Sequence, residues 1–187
     1  MPRLITFLLG FGIGLAGDAC HVVSGTTVYS SGIPTIWKSE IWFPFVVGFA
    51  VLAAAEVGRR AGLPRRPRGV NDVIIGGAIV LALYALTAVL RGQPATVSVV
   101  LCAAIAVAVW AWWDPSPGAF GIAIAAAVLG PVAEMFVADY ASDSDGLFGV
   151  APWLPCLYFA AGAVASGLLK ASDVPSTSAD TVAAERE

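Results

Sequence analysis

The chain has 187 residues, of which 58% are hydrophobic and 12% charged, with a mean hydropathy of +0.83 and a formal net charge of −3. Soluble domains carry about a quarter charged residues, so this composition excludes an ordinary water-soluble fold and gives no reason to expect a nucleic-acid partner. What matters is where the charges sit, because an ionisable group at the centre of a bilayer costs at least about 2.5 kcal/mol.

Six apolar stretches, at about 4–22, 41–57, 70–90, 95–113, 119–137 and 150–169, take up most of the chain. Each is long enough to cross about 30 Å of hydrocarbon with modest tilt. Helices are predicted, because backbone amides in lipid must be satisfied within the segment and the alternation of barrel strands is missing. The predicted fold class is all-α: a polytopic membrane protein whose residues 1–170 form a six-transmembrane-helix bundle with a lipid-facing cavity. Residues 171–187, polar and poor in aromatics, read as a disordered cytoplasmic tail.

Arg3 and the apolar run after it could open a secretory signal, but Gly17-Asp18-Ala19 is a poor cleavage site, so an uncleaved first span is expected. Gly10, Gly14 and Gly17 share one face of that span, and Asp18 and His21 lie near its outer end. The connection at 23–40, rich in Gly, Ser, Thr and Pro, is long enough for an ordered cap or a re-entrant piece. After the second span come Arg59, Arg60, Arg65, Arg66 and Arg68, flanked by Glu56 and Asp72, and both carboxylates are expected to form ion pairs there. The third span, with Leu81, Leu83, Tyr84 and Leu86, is bulkier and suited to lipid or a greasy ligand. The fifth aligns Ala119, Ala123, Ala127 and Gly130 with Glu134 one turn on, and the sixth offers Ala160, Ala163 and Gly167. In lipid, stripes of small residues mark close helix contacts, so the first, fifth and sixth spans are expected to pack together.

Counting basic residues on each side gives eight on one (Arg3, the five loop arginines, Lys170 and Arg186) and two on the other (Lys38 and Arg91). Both termini are therefore expected in the cytoplasm. Eight Arg to two Lys, with an Ala and Gly bias, reads as a GC-rich bacterium and its inner membrane. Cys20, Cys102 and Cys156 fall in or beside three different spans and form neither a disulfide framework nor a metal site. Asp143-Ser-Asp145-Gly146 resembles part of a calcium loop, but its first and twelfth positions are Ala141 and Pro152, so no calcium is expected. With His21 as the one histidine and no nucleophile turn, no enzymatic activity and no cofactor are expected.

The sixth span opens Trp153-Leu154-Pro155-Cys156, followed by Phe159 and Gly162, and this resembles the Trp-Leu-Pro-Cys-x-x-Phe-x-x-Gly stretch of the last helix in the Insig family. Trp110-Ala-Trp-Trp-Asp114, leading to Gly118 and a small-residue helix, is similar to that family's aromatic run ending in a cytosolic Asp. Glu40-Ile-Trp-Phe-Pro-Phe-Val-Val-Gly48 is similar to its second helix. Eukaryotic Insigs bind oxysterols in a membrane-facing cavity and hold sterol-sensing partners, so the resemblance implies a lipid-binding bundle. Two family features are replaced: the Asp-Arg-Ser-Arg-Ser loop is here Asp114-Pro-Ser-Pro, and of the polar stretch before the fourth span only Gln93, Thr96 and Ser98 remain.

The expected function is a non-enzymatic lipid receptor holding a sterol-like lipid or a glycerolipid such as diacylglycerol in a central cavity open to the bilayer. Candidate lining residues are Tyr84, Thr96, Ser98, Cys102 and Glu134; Asp114 is a candidate partner contact or a cap for the fifth helix. Another membrane protein or a second copy of the chain is open as a partner. The alternative is the substrate-capturing subunit of an energy-coupling vitamin transporter, which would need polar loops closing over a water-soluble ligand.

Overall fold

The computed structural model describes residues 3–61, 69–137, 141–143 and 149–171. Six helices run through it: α1 (Arg3–Ser24), α2 (Trp42–Arg60), α3 (Val70–Val89), α4 (Ala95–Trp113), α5 (Pro117–Val137) and α6 (Leu154–Ala171). Between them lie the short strands β1 (Thr27–Tyr29), β2 (Thr35–Ile36), β3 (Ser39–Glu40) and β4 (Ala141–Asp143). Helices α1 to α5 are each long and apolar enough to cross a membrane, and α6 is a shorter apolar helix. Their outward faces carry Phe136, Leu4, Val100 and Leu129, each more than half exposed. Such a surface is stable only against hydrocarbon, so the protein is an integral membrane protein.

Helix α6 stands at the centre and touches all five other helices. It earns that position through small residues: Ala160, Ala163 and Ser166 are almost fully buried. A side chain on Gly162 would strike Ala126 and the backbone of Ala123 on α5, and one on Gly58 of α2 would collide with the Ser166 carbonyl oxygen. These are backbone-to-backbone approaches of the kind that hold helices together in lipid. On α5 the expected stripe packs inward, with Ala119 and Ala123 fully buried. Gly130 makes room for the Tyr158 ring, and the Tyr158 hydroxyl donates to Glu134 Oε1 at 2.6 Å.

The glycine face of α1 departs from expectation. It meets α2 and α3 rather than α5, and reaches α6 only marginally. Gly10 faces Val51, Gly14 faces Val47, and Gly17 receives the Tyr84 ring. A small-residue stripe announces a close neighbour without naming it. Here bulky side chains on α2 and α3 fill the space that the glycines leave, backed by the rings of Phe7, Phe11, Phe45 and Phe49.

The two ends of the bundle differ. At the strand end, the connection after α1 is ordered as anticipated: β2 and β3 form a hairpin whose turn residues Trp37 and Lys38 take φ of 50° and 73°. Strand β1 pairs antiparallel with β4, from the connection between α5 and α6. Two buried carboxylates here are satisfied by neutral donors. Tyr29 donates to Asp18 at 2.7 Å, Trp42 Nε1 to Glu40 at 2.5 Å, and Ser31 also donates to Glu40. Burial and the Asp18 charge raise the Tyr29 phenol above its ordinary pKa.

At the opposite end, which we call the arginine end, Glu56 gathers Arg59 at 2.5 Å, Arg60 at 3.0 Å and Arg3 at 3.4 Å. Asp72 caps α3, its carboxylate accepting the Gly69 amide at 3.1 Å, while the neighbouring arginines of the expected ion pair lie outside the described residues. The cap of α5 is Ser116, whose hydroxyl accepts the Ala119 amide, while Asp114 accepts the Ser116 amide at 3.1 Å and holds that cap in place. Arg65, Arg66, Arg68, the residues around Asp145 and the tail after Ala171 lie outside the described residues.

Replacing Gly58 with valine forces α2 away from α6 and should cost about 1–3 kcal/mol. Gly121→Ala, at a position with open space around it, should leave stability unchanged or slightly raised. Thermal unfolding of both variants in one detergent checks this, and equal melting temperatures would contradict the contact.

Candidate functional site

At the strand end a cavity of about 420 Å³ opens between the end of α3, the start of α4, Thr26 just after α1 and the segment leading into α6, beside the turn that joins α3 to α4. Its construction starts at Gly17. Because that residue lacks a Cβ, which would fall 2.5 Å from Tyr84 Cδ2, the Tyr84 ring lies directly against α1. One turn further along α1, the His21 ring rests on Tyr84 with centroids 4.9 Å apart and meets Trp153 edge-on at 5.3 Å. His21 Nε2 then lies 2.8 Å from Thr87 Oγ1 and 3.2 Å from the Tyr84 carbonyl. Thr87 also donates back to its own helix, to the carbonyls of Tyr84 at 2.9 Å and Leu83 at 3.1 Å. This buried network fixes one wall of the cavity, and Thr87 and Trp153 form part of its lining.

The opposite wall is the turn itself. Gly92, at φ 82°, reverses the chain after α3, and the Gln93 amide bonds the Leu90 carbonyl at 2.9 Å. Arg91 is thereby carried to the cavity mouth, where its Nη1 donates to the Ser24 carbonyl at the end of α1. Gln93, Pro94, Ala95 and Ser98 continue the lining down the first turns of α4. Ser98 is 4% exposed. Ala151, Pro152 and Trp153 close the floor from the start of α6.

The five expected lining residues are not gathered in one place. Ser98 lines the cavity. Cys102, one turn below on the same face of α4, is fully buried in the core, and Tyr84 lies behind the His21 wall. Thr96 is exposed; two residues from Ser98 in a helix means about 200° of rotation, hence the opposite face. Glu134 is on α5 with Tyr158, and Asp114 is at the arginine end, 7% exposed. The cavity also lies toward one end rather than at the centre. Midway along, Leu83, Cys102 and Leu157 fill the space between α3, α4 and α6, and further toward the arginine end the indole of Trp113 fits between Gly76 and Gly167.

His21, Thr87, Arg91 and Trp153 were not among the expected lining residues. His21 continues the Gly10, Gly14, Gly17 stripe by one more turn, and that spacing was the available signal. Thr87→Val keeps the shape of the wall but removes the hydroxyl bonded to His21. It should lower stability by about 1–2 kcal/mol, read as a reduced melting temperature in detergent, whereas an unchanged value would remove this bond from the wall's support.

Comparison with family profiles gives no match. An INSIG protein homologue of Mycolicibacterium vanbaalenii is 40% identical over 170 residues, covering 87% of this chain and 82% of that protein. The crystal structure of a mycobacterial Insig homologue, MvINS from Mycobacterium vanbaalenii, is similar with a TM-score of 0.83 and 36% identity, covering 92% of this chain and 95% of that one. A cross-linked MvINS trimer matches with the same TM-score. With 40% identity over 87% of the chain and the same arrangement of helices, the protein belongs to the Insig family.

Proposed function

We propose that this protein is a non-enzymatic lipid receptor whose ligand, a sterol-like lipid or a glycerolipid such as diacylglycerol, places its polar head in the strand-end cavity. The observation that carries this reading is the cavity's make-up. Ser98, Gln93, Thr87 and Arg91 supply polar groups, while Leu90, Ala95, Ala151 and Trp153 supply apolar wall. About 420 Å³ is within the range of about 300–1,000 Å³ typical of small-molecule sites. It accommodates a head and glycerol unit while acyl chains extend over the exposed apolar flank of α4 at Val97, Val100 and Leu101.

The eight-to-two distribution of basic residues supports an orientation with both termini in the cytoplasm of a bacterial inner membrane. The cavity then belongs to the outer leaflet. The cross-linked trimer of MvINS supports a homo-oligomer for this chain too. At Asp114 the hydrogen bond to Ser116 supports a structural role over a partner contact. Membership of the Insig family favours the lipid receptor over a vitamin-capturing transporter subunit.

Native mass spectrometry of the full chain, released from mild detergent, tests this. A two-tailed lipid or a sterol should be retained. Ser98→Leu, which fills the cavity, should cut occupancy about tenfold, the factor that about 1.4 kcal/mol of lost binding represents. Thr96→Leu, on the outward face, should leave occupancy unchanged. Retention of a polar, vitamin-sized molecule instead would favour the transporter reading.

A further inference from the structure

The donors around the cavity mouth outnumber what a neutral lipid can use. Helix α4 begins there, and its start has no side-chain cap. Among the described residues the Val97 amide bonds Pro94, but the amides of Ala95 and Thr96 find no acceptor. The first amides of a helix point out of its N-terminus with a partial positive charge. Ser98 follows one turn below, 4% exposed and lining the cavity, and among the described residues its hydroxyl makes no hydrogen bond. A hydroxyl that opens on the cavity from a largely buried residue, and is not engaged by its own helix, is available to a ligand atom. Arg91 adds a permanent cation on the lining: its Nη1 is engaged by Ser24, which leaves Nη2 and Nε as further donors. The side-chain amide of Gln93 lies between them in the sequence.

Among the described residues no carboxylate lines the cavity, and Arg91 is the one charged group they place on it. A diacylglycerol head, with one hydroxyl and two ester carbonyls, brings no negative charge to pair with that cation. A phosphate ester meets it. Its oxygens can accept from the guanidinium, from the α4 amides and from Ser98 together, and helix N-termini bind phosphate for this reason.

We propose that the cavity mouth is a subsite for an anionic phosphate head, selecting phosphate-bearing amphiphiles over neutral ones. This rests on the lipid-receptor reading above and adds the class of head group to it.

The test uses full-length protein in nanodiscs or mild detergent, with dioleoyl phosphatidylglycerol, dioleoyl phosphatidylcholine and dioleoylglycerol offered at equal concentration. Bound lipid is counted by native mass spectrometry. Phosphatidylglycerol should be preferred over both others by about tenfold, the usual scale for one charge-assisted contact. Arg91→Gln should abolish the preference, Arg91→Lys should keep part of it, and Ser98→Ala should reduce it without disturbing the fold. Excess inorganic phosphate distinguishes the source. If it leaves phosphatidylglycerol bound, the site takes phosphate on a lipid; if it displaces the lipid and is itself retained, the site takes free phosphate and the lipid-borne assignment is overturned. Equal retention of all three lipids, or a preference that survives Arg91→Gln, overturns the subsite while leaving the lipid receptor standing. Retention of no lipid removes both.

Discussion

Backbone contact between helices is the constraint on which the rest of this structure depends. Lipid tails are as apolar as leucine, so burying a leucine face between two membrane helices gains little, and association needs atoms brought very close. Here α6 provides the surface for it. Gly58 admits the Ser166 carbonyl, Gly162 admits the backbone of α5, and Gly167 admits an indole from α4. Once α6 is fixed in the middle, the outer helices are placed by what each can fit against it. Helix α1, which barely reaches α6, is held through α2 and α3 instead.

The same constraint explains the cavity. Where a large side chain meets a glycine, the interface closes, as at Trp113 between Gly76 and Gly167. At the strand end α4 offers Ala95 and Ser98, the segment leading into α6 offers Ala151 and Pro152, and the turn offers Gly92 and Pro94. None of these fills the space. The void is a result of small residues facing small residues, with the ring of Trp153 and the His21 network keeping the walls from collapsing.

Much of the fold was legible in the sequence because it depends on properties local to each segment. Span length, the small-residue face of α5 leading to Glu134, and the Trp153-Leu-Pro-Cys start of α6 are all read along one helix. Partner choice is not local, which is why the glycine face of α1 was assigned to the wrong neighbours. The site suffered more, since its key bonds join residues 63 and 66 positions apart, from His21 to Tyr84 and Thr87. Ser98 stands on the cavity lining, and a polar residue in an apolar helix is conspicuous. Thr96 is equally conspicuous, and only its angular position separates it from the cavity. Glu134 stands out because carboxylates inside spans are rare, and the structure sets it against the Tyr158 hydroxyl, off the lining of the strand-end cavity.

The antiparallel pairing of β1 with β4 carries a mechanical implication. It stitches the chain leaving α1 to the chain entering α6, from Thr27 opposite Asp143 to Tyr29 opposite Ala141. With those two crossings laced together over the top of the bundle, α1, α2, α5 and α6 behave at this end as a braced frame. Helices α3 and α4, tied to each other by a short turn and touching sparsely, are the compliant pair. On the proposed lipid-receptor reading, a guest would enter sideways between that sparsely touching pair rather than through the paired strands.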